Sequence, residues 1–441
     1  MTEFCIEILN LNFLKFIWLL NNFSINRSVR ITLSLDVENS EEQLAPGDFR
    51  MVAKTMQGLE GVLAIELSKI GARDVKEHKR AVSFVGDNGT MYKANYLLRT
   101  ALRILKPIAK FDARNEKDFY DGIHALDWSV YLKPEDTLAV DCTLNTEIFN
   151  HSYYIAQKTK DAIVDQFREK FNKRPSVDTE FPTLRINIHV TRQEVTVSLD
   201  SSGYSLHKRG YRDDTGKAPM NEVLAAGIVL LSDWHPSQRL IDPMTGSGTI
   251  AIEAAMIGAK IPPGVFREKF GFQNWNDFDA SVFEKITESA IDRISNESLD
   301  IIGLEIVPNI ISKARENIEH AKVEDLIKTE CADFFEWTPP EGKGIIIMNP
   351  PYGERLEQDD SQEFYKKIGE TFKKKYAGYE AWLISSNQEA IREIGLRPSR
   401  KITLFNGPLE CRLLKYEMYA GTKKVHKLEP GYKKPGPQQT E

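Results

Sequence analysis

The chain has 441 residues and a formal net charge of −6 at pH 7; 41% of its residues are hydrophobic and 28% are charged. This length allows two or three domains with their own cores, and the composition is that of an ordinary soluble protein. The cysteines, Cys5, Cys142, Cys331 and Cys411, do not have the spacing of metal ligands. We therefore expect reduced thiols in a cytoplasmic protein, with neither disulfides nor a bound metal.

The first segment, residues 1–46, is predicted to be a poorly ordered extension. Its apolar run over residues 13–20 is too short to cross a bilayer, and no small-residue cleavage site follows it. Neither a membrane anchor nor a signal peptide is therefore predicted. A small α+β unit comes next, with predicted strands over 49–54 and 81–85 and predicted helices over 59–69 and 92–105.

The middle of the chain mixes short strands with one long helix. Strands are predicted over 137–142, 184–190 and 194–199, the last two as a hairpin. The helix over 154–171 carries an apolar residue every four positions, as a core-facing stripe requires. Its basic residues lie off the stripe, either as a solvated face or as contacts to RNA phosphates. They are Lys158, Lys160, Arg168 and Lys170, followed by Lys173 and Arg174.

Residues 92–212 are the one net basic part of the chain, with 19 Lys and Arg against 16 Asp and Glu. Phosphate contacts are expected to concentrate there. This part ends in a basic connector over 206–212, Leu-His-Lys-Arg-Gly-Tyr-Arg, and a helix over 223–231 follows. The connector is interpreted either as a plain domain linker or as a wall of the active site.

From residue 239 onward, predicted strands alternate with helices. The strands are 239–244, 300–306, 327–335, 343–348 and 381–386, and a final pair is 401–404 and 413–419. Repeated strand–helix units predict a mostly parallel sheet with helices on both faces, a Rossmann-like α/β fold. The final pair surrounds a turn and therefore predicts an antiparallel last strand. The tail from residue 423 is predicted to be disordered.

A glycine turn follows the first of these strands, in Asp242-Pro243-Met244-Thr245-Gly246-Ser247-Gly248-Thr249. Gly246 and Gly248 let the backbone approach a ligand closely, and the start of the helix over 249–257 favours a negative group such as a carboxylate. The turn lacks the third glycine of a dinucleotide fingerprint and the lysine of a P-loop. A nicotinamide dehydrogenase is therefore disfavoured.

Polar residues end four consecutive predicted strands: Asp242, Glu305, Asp333 and Asn349. In an open parallel sheet, ligands bind beyond the carboxyl ends of the strands. Glu305 suits the hydroxyls of a ribose, and Asp333 suits the exocyclic amine of an adenine. Phe334 could line the pocket of that base.

The fourth strand runs into Asn349-Pro350-Pro351-Tyr352. Two prolines must stop the strand and keep its backbone stiff. The Asn349 amide and the Pro350 carbonyl then become fixed acceptors, and Tyr352 offers a flat ring. This arrangement complements the two N–H groups and the face of a nucleobase that carries an exocyclic amine, although alone it is also compatible with a simple turn.

In this order, the motifs resemble those of class I S-adenosylmethionine-dependent methyltransferases that methylate amino groups. The middle segment resembles a THUMP domain, an RNA-binding module. Residues 48–420 as a whole are similar to the bacterial family of large-subunit ribosomal RNA guanine-N2 methyltransferases (RlmL-type). The most specific matches are the connector over 206–212, the stretch Ala-Pro-Met-Asn-Glu-Val-Leu-Ala-Ala over 218–226, and Leu-Leu-Arg-Thr-Ala-Leu-Arg over 97–103.

The chain departs from this family at two positions. Thr245 stands where a cysteine is common, and Asn221 stands where many members have a lysine, which puts the role of that helix start in doubt. Fused members carry a second methyltransferase domain, and only one methylation activity is expected here.

The resemblance implies a cofactor, a partner and a set of site residues. The cofactor is S-adenosylmethionine, the partner is large-subunit (23S) ribosomal RNA, and neither a metal nor a membrane is involved. The implied catalytic residues are Asn349, Pro350, Pro351 and Tyr352. The implied cofactor-binding residues are Asp242, Pro243, Gly246, Ser247, Gly248, Thr249, Glu305, Asp333, Phe334 and Asn349. The implied RNA-binding residues are Lys158, Lys160, Lys170, Lys173, Arg174, Lys208, Arg209, Tyr211, Arg212 and Arg355.

The resemblance also implies a division of the chain. Residues 1–46 form the extension, 47–105 a ferredoxin-like domain, 106–205 the THUMP domain, 206–222 the connector, 223–422 the methyltransferase domain and 423–441 the tail. Competing interpretations are a THUMP-bearing transfer RNA guanine-N2 methyltransferase, a DNA adenine-N6 methyltransferase and a non-catalytic RNA-binding assembly factor. The THUMP-like segment counts against DNA as the substrate.

Overall fold

The structure, a computed structural model, describes residues 31–33, 44–212, 220–351 and 358–419. Most of the predicted extension, the predicted tail, residues 213–219, and the candidate site residues Tyr352 and Arg355 lie outside the described residues. The chain divides into two units: unit 1 contains residues 1–41 and 107–199, and unit 2 contains residues 42–106 and 200–441.

The described elements are numbered here in chain order. The strands are β1 (Ile31–Leu33), β2 (Phe49–Lys54), β3 (Arg73–His78), β4 (Ala81–Gly86), β5 (Arg103–Asp112), β6 (Thr137–Asn145), β7 (Ser176–Val177), β8 (Leu184–Thr191), β9 (Glu194–Asp200), β10 (Arg239–Asp242), β11 (Ile301–Glu305), β12 (Ile327–Cys331), β13 (Gly344–Met348), β14 (Glu380–Ser385), β15 (Arg400–Asn406) and β16 (Leu409–Glu417). The helices are α1 (Glu60–Lys69), α2 (Asn88–Leu97), α3 (Glu116–His124), α4 (Ser152–Phe171), α5 (Glu222–Leu231), α6 (Thr249–Gly258), α7 (Ala280–Ile291), α8 (Pro308–His320), α9 (Gln358–Lys375) and α10 (Ala390–Glu393).

Unit 1 is built on strands β6, β7, β8 and β9. The predicted hairpin is confirmed, because β8 and β9 pair antiparallel, and β6 runs parallel to β8. Helix α4 buries Ile155, Thr159, Ile163 and Phe167, as its stripe predicts. Phe171, the last member of the predicted stripe, is instead exposed at the end of the helix.

The first part of unit 2 pairs β2 with β4, β3 with β4, and β2 with the start of β5, all antiparallel. The helix predicted over 92–105 is wrong beyond its first part. Helix α2 ends at Leu97, Leu98 has an extended backbone, and β5 begins at Arg103. The Glu66 carboxylate accepts hydrogen bonds from the backbone amides of Arg99 and Thr100, at 2.8 and 2.9 Å. Because these two amides donate to Glu66, they do not form the backbone hydrogen bonds that would continue the helix.

The second part of unit 2 contains a seven-stranded sheet in the order β12-β11-β10-β13-β14-β16-β15. Neighbouring strands from β12 to β14 are parallel, whereas β16 is antiparallel to both β14 and β15. The predicted α/β fold with an antiparallel closing strand is therefore confirmed. Helix α7 and strand β3 are elements that the sequence did not predict.

Both faces of this sheet are covered. Along β13, Ile345 and Ile347 pack into one apolar cluster, and Ile346 and Met348 pack into the other. Strands buried on both faces read as continuous apolar runs, which explains the Gly-Ile-Ile-Ile-Met sequence of β13. Polar side chains can therefore gather where the strands end.

Candidate functional site

The strand register brings the four predicted strand ends to one edge of the sheet. Ile241 of β10 pairs with Ile346 of β13, and Asp242 pairs with Gly303 of β11. Glu305 at the end of β11 pairs with Cys331 at the end of β12. Asp333, Glu305, Asp242 and Asn349 therefore follow one another along the carboxyl edge of β12, β11, β10 and β13. This is the edge at which parallel sheets bind ligands.

The glycine turn between β10 and α6 adopts a backbone that only glycine favours at two positions. Gly246 has φ +55° and Gly248 has φ +86°. A Cβ atom added at Gly246 would meet nothing within 4 Å. A side chain there would project into open space at the strand edge, where a ligand can instead approach the backbone.

Neighbouring elements fix this turn in place. The Thr245 amide donates to the Leu304 carbonyl at 2.8 Å, and the Thr245 hydroxyl donates to Oδ2 of Asp242 at 2.7 Å. From α8, the Asn317 side-chain amide donates to the Ser247 carbonyl at 2.9 Å. The turn is therefore held in its ligand-accepting shape before any ligand binds.

Asp242 lies fully buried beneath the turn. Burial raises the pKa of Asp242 to about 7, although the Thr245 hydroxyl and the nearby backbone amides of Met244 and Ala251 act in the opposite direction. Oδ1 of this carboxylate makes no well-formed hydrogen bond within the described residues. Asp242 thus supports the turn through its Oδ2, and its Oδ1 could accept a further hydrogen bond.

Glu305 connects the turn to the end of β11. Its Oε2 accepts from the Gly246 amide at 3.2 Å, and its Oε1 accepts from the Val307 amide at 3.1 Å. The next residue, Ile306, is 59% exposed. The exposed apolar side chain of Ile306, next to the Glu305 carboxylate, could pack against the flat ring of a ligand. Our sequence analysis missed Ile306, although the apolar pair that follows Glu305 was a usable signal.

Asn349 follows β13 directly. Its Oδ1 is buried and has no hydrogen-bond partner among the described residues, and the next residue, Pro350, is also buried. A buried amide oxygen without a partner is costly in an unliganded protein. It is therefore a strong indication of a donor that arrives with a ligand.

These features fit S-adenosylmethionine together with an amine substrate. The open space beside Gly246 allows a ligand to lie against the turn. The Glu305 carboxylate could accept hydrogen bonds from ribose hydroxyls. The Asn349 side-chain oxygen could accept one from the N–H group of an amine. Asp333 is less available, because its Oδ1 already accepts from the Phe335 amide at 2.8 Å.

The role of Phe334 in lining a base pocket stays a prediction. Phe334 is 3% exposed, and its ring stacks on Tyr376 with the ring centroids 5.6 Å apart. It belongs to the apolar cluster beneath the sheet. Because Phe334 and Phe335 are adjacent and equally aromatic, the sequence does not indicate which of them points inward.

Arg209 and Tyr211, two connector residues for which RNA contact is predicted, are both buried. Arg209 forms an ion pair with Glu253 of α6 at 3.3 Å, and the Tyr211 hydroxyl donates to the same carboxylate at 3.1 Å. Arg209 also donates to the carbonyls of Leu206 and Arg99. These contacts hold the connector against other residues of unit 2, and neither side chain lies on the outer surface.

The other connector residues differ in accessibility. Lys208 is exposed. Arg212 is nine-tenths buried, forms an ion pair with Glu222 at 3.1 Å and donates to the hydroxyl of Thr249, the first residue of α6. Arg212 therefore contacts the end of the glycine turn rather than the outer surface.

In unit 1, each predicted RNA-binding lysine has a carboxylate beside it. The distances are 3.4 Å for Lys158 and Glu116, 2.6 Å for Lys160 and Asp161, 2.7 Å for Lys170 and Asp127, and 3.6 Å for Lys173 and Glu135. Arg174 is exposed. RNA contact by these residues stays a prediction.

Residues 44–212, 220–351 and 358–419 include neither a candidate metal site nor a candidate membrane span. In those ranges no three His, Cys, Asp or Glu side chains converge in a way that could hold a metal ion. No helix there combines the length and the apolar character needed to cross a bilayer.

Comparisons with known proteins decide the family. Residues 209–415 match the family model of the RMKL-like methyltransferase domain, 113–200 match the THUMP domain, and 50–105 match the RlmL ferredoxin-like domain. A provisionally named RNA methyltransferase of Synechocystis sp. is 37% identical over 369 residues, which are 83% of this chain and 96% of that protein. The chain belongs to the RMKL-like methyltransferase family.

The chain spans only about half the length of several other relatives. The ribosomal RNA large subunit methyltransferase K/L of Syntrophotalea carbinolica is 38% identical over 84% of this chain, which spans only 53% of that relative. Among solved structures, SMU.472, provisionally a methyltransferase, complexed with SAH is similar with a TM-score of 0.74 and 30% identity, over 86% of this chain and 100% of that one. The predicted Rossmann-like methyltransferase fold, preceded by ferredoxin-like and THUMP regions, is confirmed.

Proposed function

We propose that the protein transfers a methyl group from S-adenosylmethionine to the exocyclic N2 amine of a guanine in large-subunit (23S) ribosomal RNA. The observation that carries this proposal is the Oδ1 of Asn349 at the tip of β13, which is buried, has no hydrogen-bond partner within the described part of the chain and lies one strand away from the glycine turn. Relatives named ribosomal RNA large subunit methyltransferase K/L support the choice of substrate. The cofactor is S-adenosylmethionine, as the SAH-bound neighbour supports, and the partner is RNA.

The chain supplies mainly orientation. S-adenosylmethionine, when bound, supplies a methyl group already activated on a sulfonium. The turn over Gly246 to Thr249 would hold its amino-acid part at the start of α6, and Glu305 would accept from its ribose hydroxyls. Bringing two reactants into alignment lowers a barrier by several kcal/mol without further chemistry.

Asn349 and Pro350 act on the acceptor nitrogen. The lone pair of guanine N2 is delocalised into the ring, which makes the amine a poor nucleophile. If its two N–H groups donate to the Asn349 Oδ1 and the Pro350 carbonyl, the nitrogen becomes more pyramidal and its lone pair is partly freed. No strong general base is needed, because the methylated nitrogen is acidic and loses its proton readily.

The guanine must leave its helix to reach this edge, since a stacked base presents its amine inside the duplex. The target is therefore a flipped or single-stranded nucleotide. Tyr352, which lies outside the described residues, is proposed to stack on the extruded base, and Pro351 to keep the backbone stiff between the two.

The division into domains and the cytoplasmic location belong to the same proposal. The three family matches support a ferredoxin-like domain over 47–105, a THUMP domain over 106–205 and a methyltransferase domain over 223–422. Reduced thiols and an RNA substrate support the cytoplasm.

The test is methylation of purified RNAs. The protein is incubated with isotope-labelled S-adenosylmethionine and, separately, with large-subunit ribosomal RNA, transfer RNA and DNA, and the nucleosides are analysed by mass spectrometry. We expect labelled N2-methylguanosine from the ribosomal RNA. Label in transfer RNA alone, label in DNA adenine, or RNA binding without any label would each overturn the proposal in favour of one of the competing interpretations.

A further inference from the structure

A pocket of about 300 Å³ lies between the connector and the start of α5. Its lining includes Tyr204, His207, Lys208, Arg212, Asn221 and Glu222. This volume is at the lower end of the range of small-ligand sites, enough for a single base with its phosphate. The proposed catalytic step uses none of these side chains.

Arg267 holds in place several of the residues that line this connector pocket. Arg267 is 8% exposed and donates to the carbonyls of Ser202, Tyr204, Ser205 and Lys208, at distances of 3.0–3.1 Å. Its guanidinium carbon also lies 3.6 Å from the centroid of the Tyr204 ring. The same arginine thus fixes both the connector backbone and the plane of the ring. Tyr204 is a rigid aromatic surface rather than a mobile one.

The charge of the lining favours an anion. Lys208, Arg209 and Arg212 contribute positive charges to it, and Glu222 contributes the one negative charge of the lining residues. Arg209 forms an ion pair with Glu253, and Arg212 forms an ion pair with Glu222. Lys208 is exposed, so a ligand that enters from solvent can reach its ammonium group.

The connector pocket shares a wall with the proposed active site. Arg212 lines the pocket and also donates to the hydroxyl of Thr249, directly after Gly248 of the glycine turn. Nε of Arg212 is buried and has no hydrogen-bond partner among the described residues. The pocket and the glycine turn are therefore linked through a single side chain, that of Arg212.

We propose that the connector pocket binds one nucleotide of the RNA adjacent to the methylated guanine, with its base stacked on Tyr204 and its phosphate against Lys208. The inference rests on the proposed function, because it takes the RNA strand to be the substrate. Single-stranded nucleic acid is commonly held by this combination of an aromatic platform and a nearby cation. Holding the neighbour of the target would keep that target extruded.

Binding measurements test the two contacts separately. Affinity for large-subunit ribosomal RNA is measured over a series of salt concentrations for wild type, Tyr204→Leu, Tyr204→Phe, Lys208→Gln and the control Lys401→Gln, whose lysine is exposed on β15. We expect Lys208→Gln to reduce the slope of log affinity against log salt by about one, as the loss of one phosphate contact does. Tyr204→Leu should weaken binding about 10-fold without changing the slope, whereas Tyr204→Phe and Lys401→Gln should match wild type.

Other outcomes overturn the inference. An unchanged salt slope in Lys208→Gln would remove the phosphate contact, and equal affinity of Tyr204→Leu and Tyr204→Phe would remove the stacking contact. An increase in the KM for S-adenosylmethionine, with unchanged RNA affinity, would assign the pocket to the cofactor. Thermal unfolding of each variant controls for misfolding. Because binding is measured without methyl transfer, a failure here is distinguishable from a failure of the proposed function, which the nucleoside analysis reports.

Discussion

In the proposed function, one side-chain oxygen of Asn349 binds the amine that is methylated. Asn349 lies at the tip of β13, and its Oδ1 is buried without a hydrogen-bond partner in the described ranges, while the turn that would hold the cofactor follows β10. Binding of the cofactor and activation of the amine are thus assigned to different strands. Substitutions should separate the two functions.

Asn349→Ala is predicted to lower kcat about 100- to 1,000-fold, the usual cost of removing one oriented polar group that acts in the transition state. The KM for S-adenosylmethionine should change less than about 3-fold, since in this proposal the cofactor is held mainly by other residues. Steady-state kinetics with labelled cofactor measures both constants. Asn296→Ala, at an exposed asparagine distant in sequence, is the control. A parallel loss of cofactor affinity would contradict the assigned role.

Asp242 predicts an unusual dependence of stability on pH. Its pKa is about 7 in the folded protein, against about 4 for an unfolded aspartate. Between these values the folded protein keeps a proton that the unfolded chain has released, so the free energy of unfolding falls as the pH rises through this window. At about 1.4 kcal/mol per pKa unit, the loss is at most about 4 kcal/mol by pH 8.

Asp242→Asn should flatten this dependence. The amide keeps an acceptor for the Thr245 hydroxyl but cannot ionise, so the variant should be close to wild type at pH 4 and more stable than wild type at pH 8. Urea unfolding at several pH values, without cofactor, measures the difference. The same slope in both proteins would show that Asp242 does not titrate in this range.

The sequence predicted the site residues that depend on local motifs and missed those that depend on partners elsewhere in the chain. Asn349, Glu305 and the glycine turn follow from strand ends and local patterns. Arg209 looked like an RNA contact because its partner, Glu253, is 44 residues away. A basic residue and its buried counter-ion cannot be matched without the fold.

At the scale of elements, helix α9 and the segment after α10 approach unusually closely. A Cβ atom at Gly369 of α9 would lie 1.8 Å from the Ile394 carbonyl oxygen. Gly369→Ala, which in a free helix would gain about 1 kcal/mol, should here reduce the free energy of unfolding by about 1–3 kcal/mol through overpacking. Gly61→Ala in α1 is the matched control, because its nearest neighbour would be 3.6 Å away. Urea unfolding of both variants checks this, and equal effects would contradict it.

Helix α6 is fastened to the connector by the buried pair of Arg209 and Glu253. Arg209→Met or Glu253→Leu alone leaves one charge buried without its partner and should cost about 3–5 kcal/mol of stability. The double variant should lose less than the sum of the two. A double-mutant cycle by urea unfolding measures this coupling, and strictly additive losses would show that the pair is not coupled.

Secondary-structure elements also differ in how far the sequence alone predicts them. The mostly parallel sheet and its antiparallel last strand were predictable because strands and helices alternate regularly and the closing pair flanks a turn. The end of α2 was not, because Glu66 of α1 binds the amides of Arg99 and Thr100. Helical spacing continues through this stretch of sequence, and only a carboxylate from another element ends the helix.

At the scale of the whole molecule, unit 1 is inserted into unit 2. The chain leaves unit 2 after residue 106 and returns at residue 200. Within unit 2 these two crossing points are neighbours, because the Ser201 amide donates to the Ile104 carbonyl at 3.0 Å and Arg103 forms an ion pair with Asp200. A short linker can therefore join them.

Replacing residues 107–199 with a short Gly-Ser linker should leave a folded unit 2 that still binds S-adenosylmethionine. Affinity for RNA should fall at least about 10-fold, since the segment that matches the THUMP domain is removed. Calorimetry with the cofactor and filter binding with ribosomal RNA measure the two effects. Loss of cofactor binding in a folded protein would show that unit 2 depends on unit 1, and unchanged RNA affinity would place RNA recognition elsewhere.

The paired lysines of unit 1 have a consequence for discrimination among cellular RNAs. Lys158, Lys160, Lys170 and Lys173 each stand beside a carboxylate of the protein itself. A phosphate must compete with that carboxylate, so a random duplex gains little from the encounter. Only an RNA whose shape engages several such positions at once overcomes the competition. If these lysines contact RNA as predicted, abundant unrelated transcripts would be released quickly and the enzyme would remain available for its substrate.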